Sequence, residues 1–103
     1  MSQSFRFAQQ AEQDLLDIWI FSFERWGEDQ ADSYHAQLQD CCHNVVSEQV
    51  FPRVIVIGKK TIPYIHCQRH FIFFAENTDT VIILAVLHER MDFVKHLRGR
   101  MTH

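Results

Sequence analysis

The sequence predicts an α+β domain in which an N-terminal pair of helices packs on an antiparallel sheet, with a short helix at the C-terminus. Apolar residues recur at helical spacing through the first half of the chain, whereas the part after Pro52 is rich in β-branched and aromatic residues. The length of 103 residues, 47% of them hydrophobic and 22% charged, suits one core and is too short for two. Residues 1–103 are therefore predicted to form a single domain.

The first half of the chain predicts a short strand and a helical hairpin. Residues 4–7 alternate polar and apolar, which indicates a strand. Residues 8–26 change to helical spacing, and Gly27 is a typical C-terminal stop. A second helix is predicted over residues 28–47, so the two helices should lie antiparallel. The inner face of the first helix is predicted to hold Ala8, Ala11, Leu15, Ile18, Trp19 and Trp26. That of the second is predicted to hold Ala31, Tyr34, Leu38, Cys41 or Cys42, and Val45.

The second half predicts strands and one helix. The predicted strands are 53–57, 61–65, 69–75 and 80–87, with a hairpin turn at 76–79. Pro63 favours an edge position or a bulge for its strand. The run 81–87 is apolar without alternation, which predicts a central strand covered on both faces, either by the final helix or by a partner. Asp92 is a predicted N-cap of that final helix, which should extend through Leu97 and close at Gly99.

The cysteines and the N-terminus favour a soluble, cytoplasmic protein with no membrane partner. Three Cys is an odd number, and the neighbours Cys41 and Cys42 are poorly placed to pair with each other, so free thiols are expected. The first residues lack a basic start followed by an apolar stretch, and the apolar run 81–87 is far shorter than a membrane span. The Cys and His spacings match no structural zinc site, and we expect neither a metal nor another cofactor.

The net charge of −3 hides a dipolar chain. Residues 1–50 carry nine acidic residues against two Arg, which gives −7, whereas residues 51–103 carry eight Lys or Arg against four acidic residues, which gives +4. Such a division indicates charged partners. The acidic helices would be repelled by phosphate, so a helix-turn-helix and direct specific DNA binding are not expected.

Two groups of residues are candidates for function. Five polar residues of the right types for a ribonuclease lie on or just past the two strong strands: Arg69, His70, His88, Glu89 and Arg90. The alternative is that they are solvated strand-end residues, with His88 hydrogen-bonded locally. The aromatic residues Trp19, Phe21, Phe23 and Trp26 cannot all face the core, so part of this cluster should be exposed for a partner.

Several segments resemble the RelE/ParE superfamily of toxins from type II toxin-antitoxin pairs, most closely its ParE branch. The resemblance runs through residues 11–19, 25–34, 69–74 and 86–92 in the order of the family. Its most specific parts are Arg25-Trp26-Gly27 with Ala31-x-x-Tyr34, and Leu87-His88-x-Arg90-Met91-Asp92. It implies a compact α+β toxin in a hetero-oligomeric complex with a cognate antitoxin, whose C-terminal segment wraps it by coupled folding.

The resemblance leaves the target open between two branches. ParE members inhibit DNA gyrase and block replication, and RelE members cleave mRNA on the ribosome. Nuclease members are usually strongly basic, so the total of −3 favours gyrase inhibition without catalysis. The expected target-binding residues are then Arg69, His88, Arg90, Lys95, Arg98 and Arg100. The expected antitoxin-binding residues are Trp19, Phe23, Trp26 and Tyr34.

Two alternatives are kept. In a ribosome-dependent mRNA endonuclease, His88 would be the general acid or base, and Arg69 and Arg90 would hold the phosphate. In a non-toxic relic, the chain would only bind antitoxin.

Overall fold

A computed structural model describes residues 4–101. In chain order its elements are β1 (Ser4–Phe7), α1 (Gln9–Trp26), α2 (Glu28–Val46), β2 (Arg53–Ile57), β3 (Lys60–Cys67), β4 (His70–Glu76), β5 (Thr80–His88) and α3 (Phe93–Met101). Within this range no helix is long and apolar enough to cross a lipid bilayer.

The strands form one five-stranded sheet in the order β1-β5-β4-β3-β2. Strands β2 to β5 pair antiparallel with their neighbours, whereas β1 pairs in parallel with β5. A parallel pair needs a long connection, and here the helical hairpin and three strands lie between its two members. The predicted α+β fold is confirmed, with a mixed sheet because of this first strand.

The helices α1 and α2 are joined by Gly27 alone and pack on one face of the sheet. Gly27 has φ +93°, a left-handed value that L side chains rarely adopt. The buried residues of α1 are Ala11, Leu15 and Ser22, and the predicted inner residue Trp26 is 61% exposed. The buried stripe of α1 thus ends at Ser22, and the prediction that Trp26 faces the core was wrong, because this side chain is exposed.

Strand β5 is covered on both faces, as its apolar run predicts. A bulge breaks its alternation: Phe74 pairs with Ile83 and Phe73 with Ala85, which leaves Leu84 as the extra residue. Residues Ile83 and Val86 therefore both face the helical hairpin, although they are three positions apart.

Helix α3 covers the other face of the sheet with Phe93 and Leu97. Asp92 is its N-cap, because its Oδ1 accepts the backbone N–H of Lys95 at 3.2 Å. The prediction that Gly99 closes this helix was wrong, since the helix continues to Met101 and the φ of Gly99 lies outside the left-handed range of a glycine cap.

Strand β3 lies inside the sheet between β2 and β4, so the edge position predicted from Pro63 was wrong. Pro63 lies opposite Val54 on β2, and the ladder between β3 and β4 begins only at Tyr64. The missing N–H of the proline therefore falls outside the ladder with β4.

The expectation of three free thiols was also wrong, because Cys41 on α2 and Cys67 on β3 form a disulfide. Adjacent helical residues point about 100° apart, so Cys41 reaches the end of β3 while Cys42 is buried in the core. Cys41 and Cys67 are 26 positions apart, so no local spacing marks them as a pair. Burial raises the pKa of the Cys42 thiol to about 12, which keeps it protonated at neutral pH.

Candidate functional site

The turn between β3 and β4 meets the end of β5 at one end of the sheet. His70 pairs with Cys67 across the turn on one side and with His88 on the other. The backbone N–H of Glu89 donates to the carbonyl of Arg69 at 2.9 Å. This brings together three of the predicted site residues, Arg69, His88 and Arg90, which we call the strand-end cluster.

Tyr34 on α2 reaches this turn through its hydroxyl. The backbone N–H of Arg69 donates to Tyr34 Oη at 3.2 Å, and Tyr34 Oη lies 2.6 Å from His70 Nδ1. A phenol oxygen can accept from Arg69 and donate its own proton to His70 Nδ1 at the same time, and this geometry allows both. Burial raises the pKa of the Tyr34 hydroxyl, which keeps this proton in place.

His70 is 8% exposed and neutral. Burial, together with the neighbouring His88, lowers its pKa to about 4. If Nδ1 accepts the Tyr34 proton, the neutral imidazole carries its own proton on Nε2. His70 therefore holds the site together as a neutral hydrogen-bonding group.

His88 is half-buried beside His70, with 5.2 Å between the ring centroids. Its Nδ1 accepts the backbone N–H of Arg90 at 3.1 Å, so the neutral ring carries its proton on Nε2. The only basic nitrogen of neutral His88 is thus already hydrogen-bonded. The proton on Nε2 suits donation to a partner better than proton abstraction.

The side chains of Arg69 and Arg90 are exposed. Among residues 4–101, neither guanidinium has a hydrogen-bond or ion-pair partner. The nearby carboxylate of Glu89 lies 2.8 Å from His66 Nε2, in an exposed pair of small energetic value. Across the described range, no three His, Cys, Asp or Glu side chains are grouped closely enough to hold a metal ion.

Two further predicted cations, Lys95 and Arg98, lie three positions apart on α3 and are both exposed. They line a shallow open depression together with Asp92. Their spacing puts them on one helix face. The outer face of α3 thus forms a second basic surface.

Arg100 differs from the other five predicted target contacts. Its Nη2 and Nη1 donate to Asp14 Oδ1 and Oδ2 at 2.7 and 2.8 Å, and Nη1 also donates to the carbonyl of Leu84 at 3.3 Å. Asp14 Oδ2 accepts the backbone N–H of Val86 at 2.9 Å as well. The guanidinium is therefore engaged inside the molecule, with only 20% of the side chain exposed.

The predicted antitoxin-binding aromatics lie mainly on the outer side of α1. Phe23 and Trp26 are 45% and 61% exposed. Trp19 stacks on Phe23 at 5.2 Å, and its Nε1 donates to Asp32 Oδ1 on α2 at 2.9 Å. Tyr34 is half-buried and its hydroxyl is already hydrogen-bonded, so it stands apart from these three. Other large apolar side chains exposed on α1 are Leu16, Ile20 and Phe21.

Sequence reasoning missed two internal links of this site. The bond between Tyr34 and His70 joins residues 36 positions apart, and that between Asp14 and Arg100 joins residues 86 apart. Both Tyr34 and Asp14 lie on helices where their types are unremarkable, so no local pattern marks them. Only the packing of the helices on the sheet brings these partners together.

Comparisons with known proteins agree with the overall fold. Residues 5–93 match the sequence profile of a family described as "ParE toxin of type II toxin-antitoxin system, parDE". Two curated relatives, each named Toxin ParE1 and each from a strain of Mycobacterium tuberculosis, are 26% identical over 98 residues, which cover 94% of this chain and 100% of theirs. A solved structure described as the chromosomal ParDE TA system from P. aeruginosa has a TM-score of 0.70 at 16% identity, covering 84% of this chain and 96% of that chain.

The structural likeness shows a shared fold, and the profile match spans most of the described range. The chain therefore belongs to the ParE toxin family of type II toxin-antitoxin systems.

Proposed function

We propose that this chain inhibits DNA gyrase by binding it, without catalysis of its own, and that a cognate antitoxin neutralises it. Membership of the ParE family and the gyrase target that the resemblance implies support the choice of target. This function places the protein in the cytoplasm, where gyrase acts. The observation that carries the proposal is an exposed set of cations beside two histidines, His70 and His88, whose Nδ1 atoms are already hydrogen-bonded inside the protein.

Binding fits the strand-end cluster better than catalysis does. A ribonuclease needs a free base near the 2′-hydroxyl, yet Nδ1 of His88 accepts from Arg90 and Nδ1 of His70 is hydrogen-bonded to Tyr34. The cations, in contrast, are free to meet acidic groups of a partner. We assign target contact to Arg69, His88, Arg90, Lys95 and Arg98. Arg100 is left out because its guanidinium is paired with Asp14.

The antitoxin is proposed to cover the outer side of α1. Exposed aromatic side chains in a nearly continuous row are typical anchors for an interface, since they bury much apolar area. Trp19, Phe23 and Trp26 are the proposed contacts. A flexible antitoxin segment that folds on binding would suit this surface. We expect the pair Phe23→Ala and Trp26→Ala to weaken the complex, and Phe51→Ala, which alters a side chain that is 99% exposed after α2, to leave it intact.

A growth and pull-down experiment tests the proposed target contacts. We expect Arg69→Ala combined with Arg90→Ala to relieve growth arrest and to lower retention of gyrase on the order of tenfold or more, as for interface Arg residues. Lys59→Ala with Lys60→Ala is the matched control, because it removes two exposed cations at the opposite end of β3. Equal effects of the two double variants would contradict the proposal. Induction of the wild type without growth arrest would instead favour the non-toxic relic.

An mRNA endonuclease remains the second candidate, because Arg69, His88 and Arg90 lie at the same end of the sheet. It requires His88 to exchange its bond with Arg90 for a proton-transfer role. Cleavage of translated messages after induction, abolished by His88→Ala, would support this candidate and overturn gyrase inhibition as the activity. Intact messages would remove it.

A further inference from the structure

We propose that Tyr34 is a positioning residue, which holds the turn at Gln68 and Arg69 in the conformation that presents Arg69 to the target. This role rests on the proposed function, because the target meant here is the gyrase named there. It differs from the antitoxin contact that the sequence suggests for Tyr34, because the hydroxyl is engaged inside the molecule.

The backbone of Arg69 is held on two sides. Its N–H donates to Tyr34 Oη, and its carbonyl accepts the N–H of Glu89. The preceding residue, Gln68, has φ +57°, a left-handed value that a side-chain-bearing residue adopts only when its surroundings hold it there. The two hydrogen bonds fix this turn between α2 and the end of β5.

The Tyr34 hydroxyl contacts two consecutive residues where the turn enters β4. It accepts the backbone N–H of Arg69 and is hydrogen-bonded to the ring of His70, which is the first residue of β4. A phenol can do both at once, whereas a phenylalanine ring of the same shape can do neither. Loss of the hydroxyl would leave an N–H and a ring nitrogen, the latter largely buried, without their partners.

The same helix holds the beginning of the turn by a covalent link. Cys41 lies seven positions after Tyr34, which puts the two residues on one face of α2, and it bonds to Cys67 immediately before Gln68. The turn is therefore attached to α2 at Cys67 and again at Arg69. The disulfide fixes where the turn begins, and Tyr34 fixes how its backbone is oriented.

A fixed backbone at Arg69 favours binding by its side chain. The guanidinium is exposed and has no hydrogen-bond or ion-pair partner in the described part of the chain, so only its backbone is held. A fixed backbone reduces the conformational entropy lost when the side chain meets a partner. Loss of the Tyr34 hydroxyl should therefore weaken target binding although Tyr34 itself need not touch the target.

The test compares Tyr34→Phe with Tyr64→Phe. Tyr64 is a matched control, because its ring packs against Phe71 and Phe93 and its hydroxyl has no hydrogen-bond partner in the range 4–101. Nitrogen-15 spectra of the histidine rings report the tautomer of His70, and amide exchange reports the N–H of Arg69. Gyrase supercoiling assays with the same proteins report the effect on the target.

We expect the wild type and Tyr64→Phe to show His70 with its proton on Nε2 and a protected Arg69 amide. In Tyr34→Phe, the His70 ring should lose this single tautomer, the Arg69 amide should exchange about tenfold faster or more, and inhibition should weaken as it does in Arg69→Ala. Proton placement on Nδ1 in the wild type, or an unchanged turn in Tyr34→Phe, would overturn the proposal. So would a loosened turn with undiminished inhibition.

The spectroscopic readouts separate this inference from the proposed function. If the wild type fails to inhibit gyrase, the proposed function fails. The His70 tautomer and the Arg69 amide then decide alone whether Tyr34 holds the turn.

Discussion

At the scale of single residues, the pair of Asp14 and Arg100 joins α1, α3 and the bulge of β5. The bulge takes Leu84 out of the ladder with β4, and the Leu84 carbonyl accepts from Arg100. The N–H of Val86 donates to Asp14, whose carboxylate also accepts from Nη1 and Nη2 of Arg100. Polar backbone groups next to the irregularity thus find partners, which a partly buried strand requires.

Removal of the Asp14 carboxylate should destabilise the fold. Asp14→Ala leaves a guanidinium that is only 20% exposed without its partner, and it also leaves the N–H of Val86 unpaired. We expect the free energy of unfolding, measured with a chemical denaturant, to fall by about 2–4 kcal/mol. Asp17→Ala is the control, because Asp17 is exposed and bonds only to Gln13 in the described range. Equal losses in the two variants would contradict this account of Asp14.

His70 should make the stability depend on pH. Its pKa falls from an ordinary value of 6.5 to about 4 in the folded protein, so between these values the unfolded chain binds more protons. The contribution is fully present above pH 6.5 and is lost as the pH falls towards 4, by about 3 kcal/mol in total.

A His70→Gln variant isolates this contribution, since glutamine offers an acceptor to Tyr34 but does not titrate in this range. Unfolding measured at pH 7.5 and pH 4.5 should show a larger loss for the wild type than for the variant. Parallel stability curves would show that His70 is not the group responsible.

At the scale of elements, the Cys41–Cys67 disulfide attaches α2 to the end of β3 across a separation of 26 residues. A cross-link of this span restricts the unfolded chain and typically adds about 2–4 kcal/mol of stability. The link lies beside the Arg69 turn, so its loss should loosen that turn first. Helix packing and the core contribution of Cys42 should persist.

The disulfide can be tested by thiol counting and by reduction. Alkylation of the denatured, unreduced protein should label one thiol, that of Cys42, and reduction before alkylation should expose all three. Cys41→Ser with Cys67→Ser should lower the stability to that of the reduced wild type, with the loss estimated above. Three labelled thiols without reduction would show that the link does not form.

Strand β5 shows how far an element can be predicted from its pattern. Seven consecutive apolar residues indicate burial on two faces, and both faces are covered. The bulge at Leu84 cannot be recognised in such a run, because the residues that face either side of the sheet are all apolar. Pro63, in contrast, gives a clear local signal that led to a wrong prediction. Proline lacks an N–H for the ladder, but the pairing of β3 with β4 begins only at Tyr64, so β3 can still lie inside the sheet.

At the scale of the whole molecule, the charges separate onto different elements. The residues that give the first half its charge of −7 lie on α1 and α2 and just after them, whereas exposed cations lie at the end of the sheet and on α3. One small domain can thus offer an acidic and aromatic surface to one partner and a basic surface to another. The order of charged residues along the sequence predicts this division, whereas the total charge of −3 hides it.

The fold class could be predicted from the sequence, and the internal contacts of the candidate site could not. Helical spacing, Gly27 and the apolar run in β5 are local signals, and they led to the correct class. In the sequence, Arg100 resembles the other C-terminal cations, and nothing there indicates that it pairs with Asp14. Such pairs depend on how helices pack across a sheet, which no single segment encodes.

The central claim is that a binding surface, and no chemistry of this chain, produces inhibition of gyrase. The most direct measurement is the supercoiling activity of purified gyrase, titrated with purified toxin in the absence of ribosomes. We predict inhibition by the wild type and by the Lys59→Ala, Lys60→Ala control, weakened on the order of tenfold or more in the Arg69→Ala, Arg90→Ala variant. Unimpaired supercoiling at toxin concentrations that stop growth would contradict the claim.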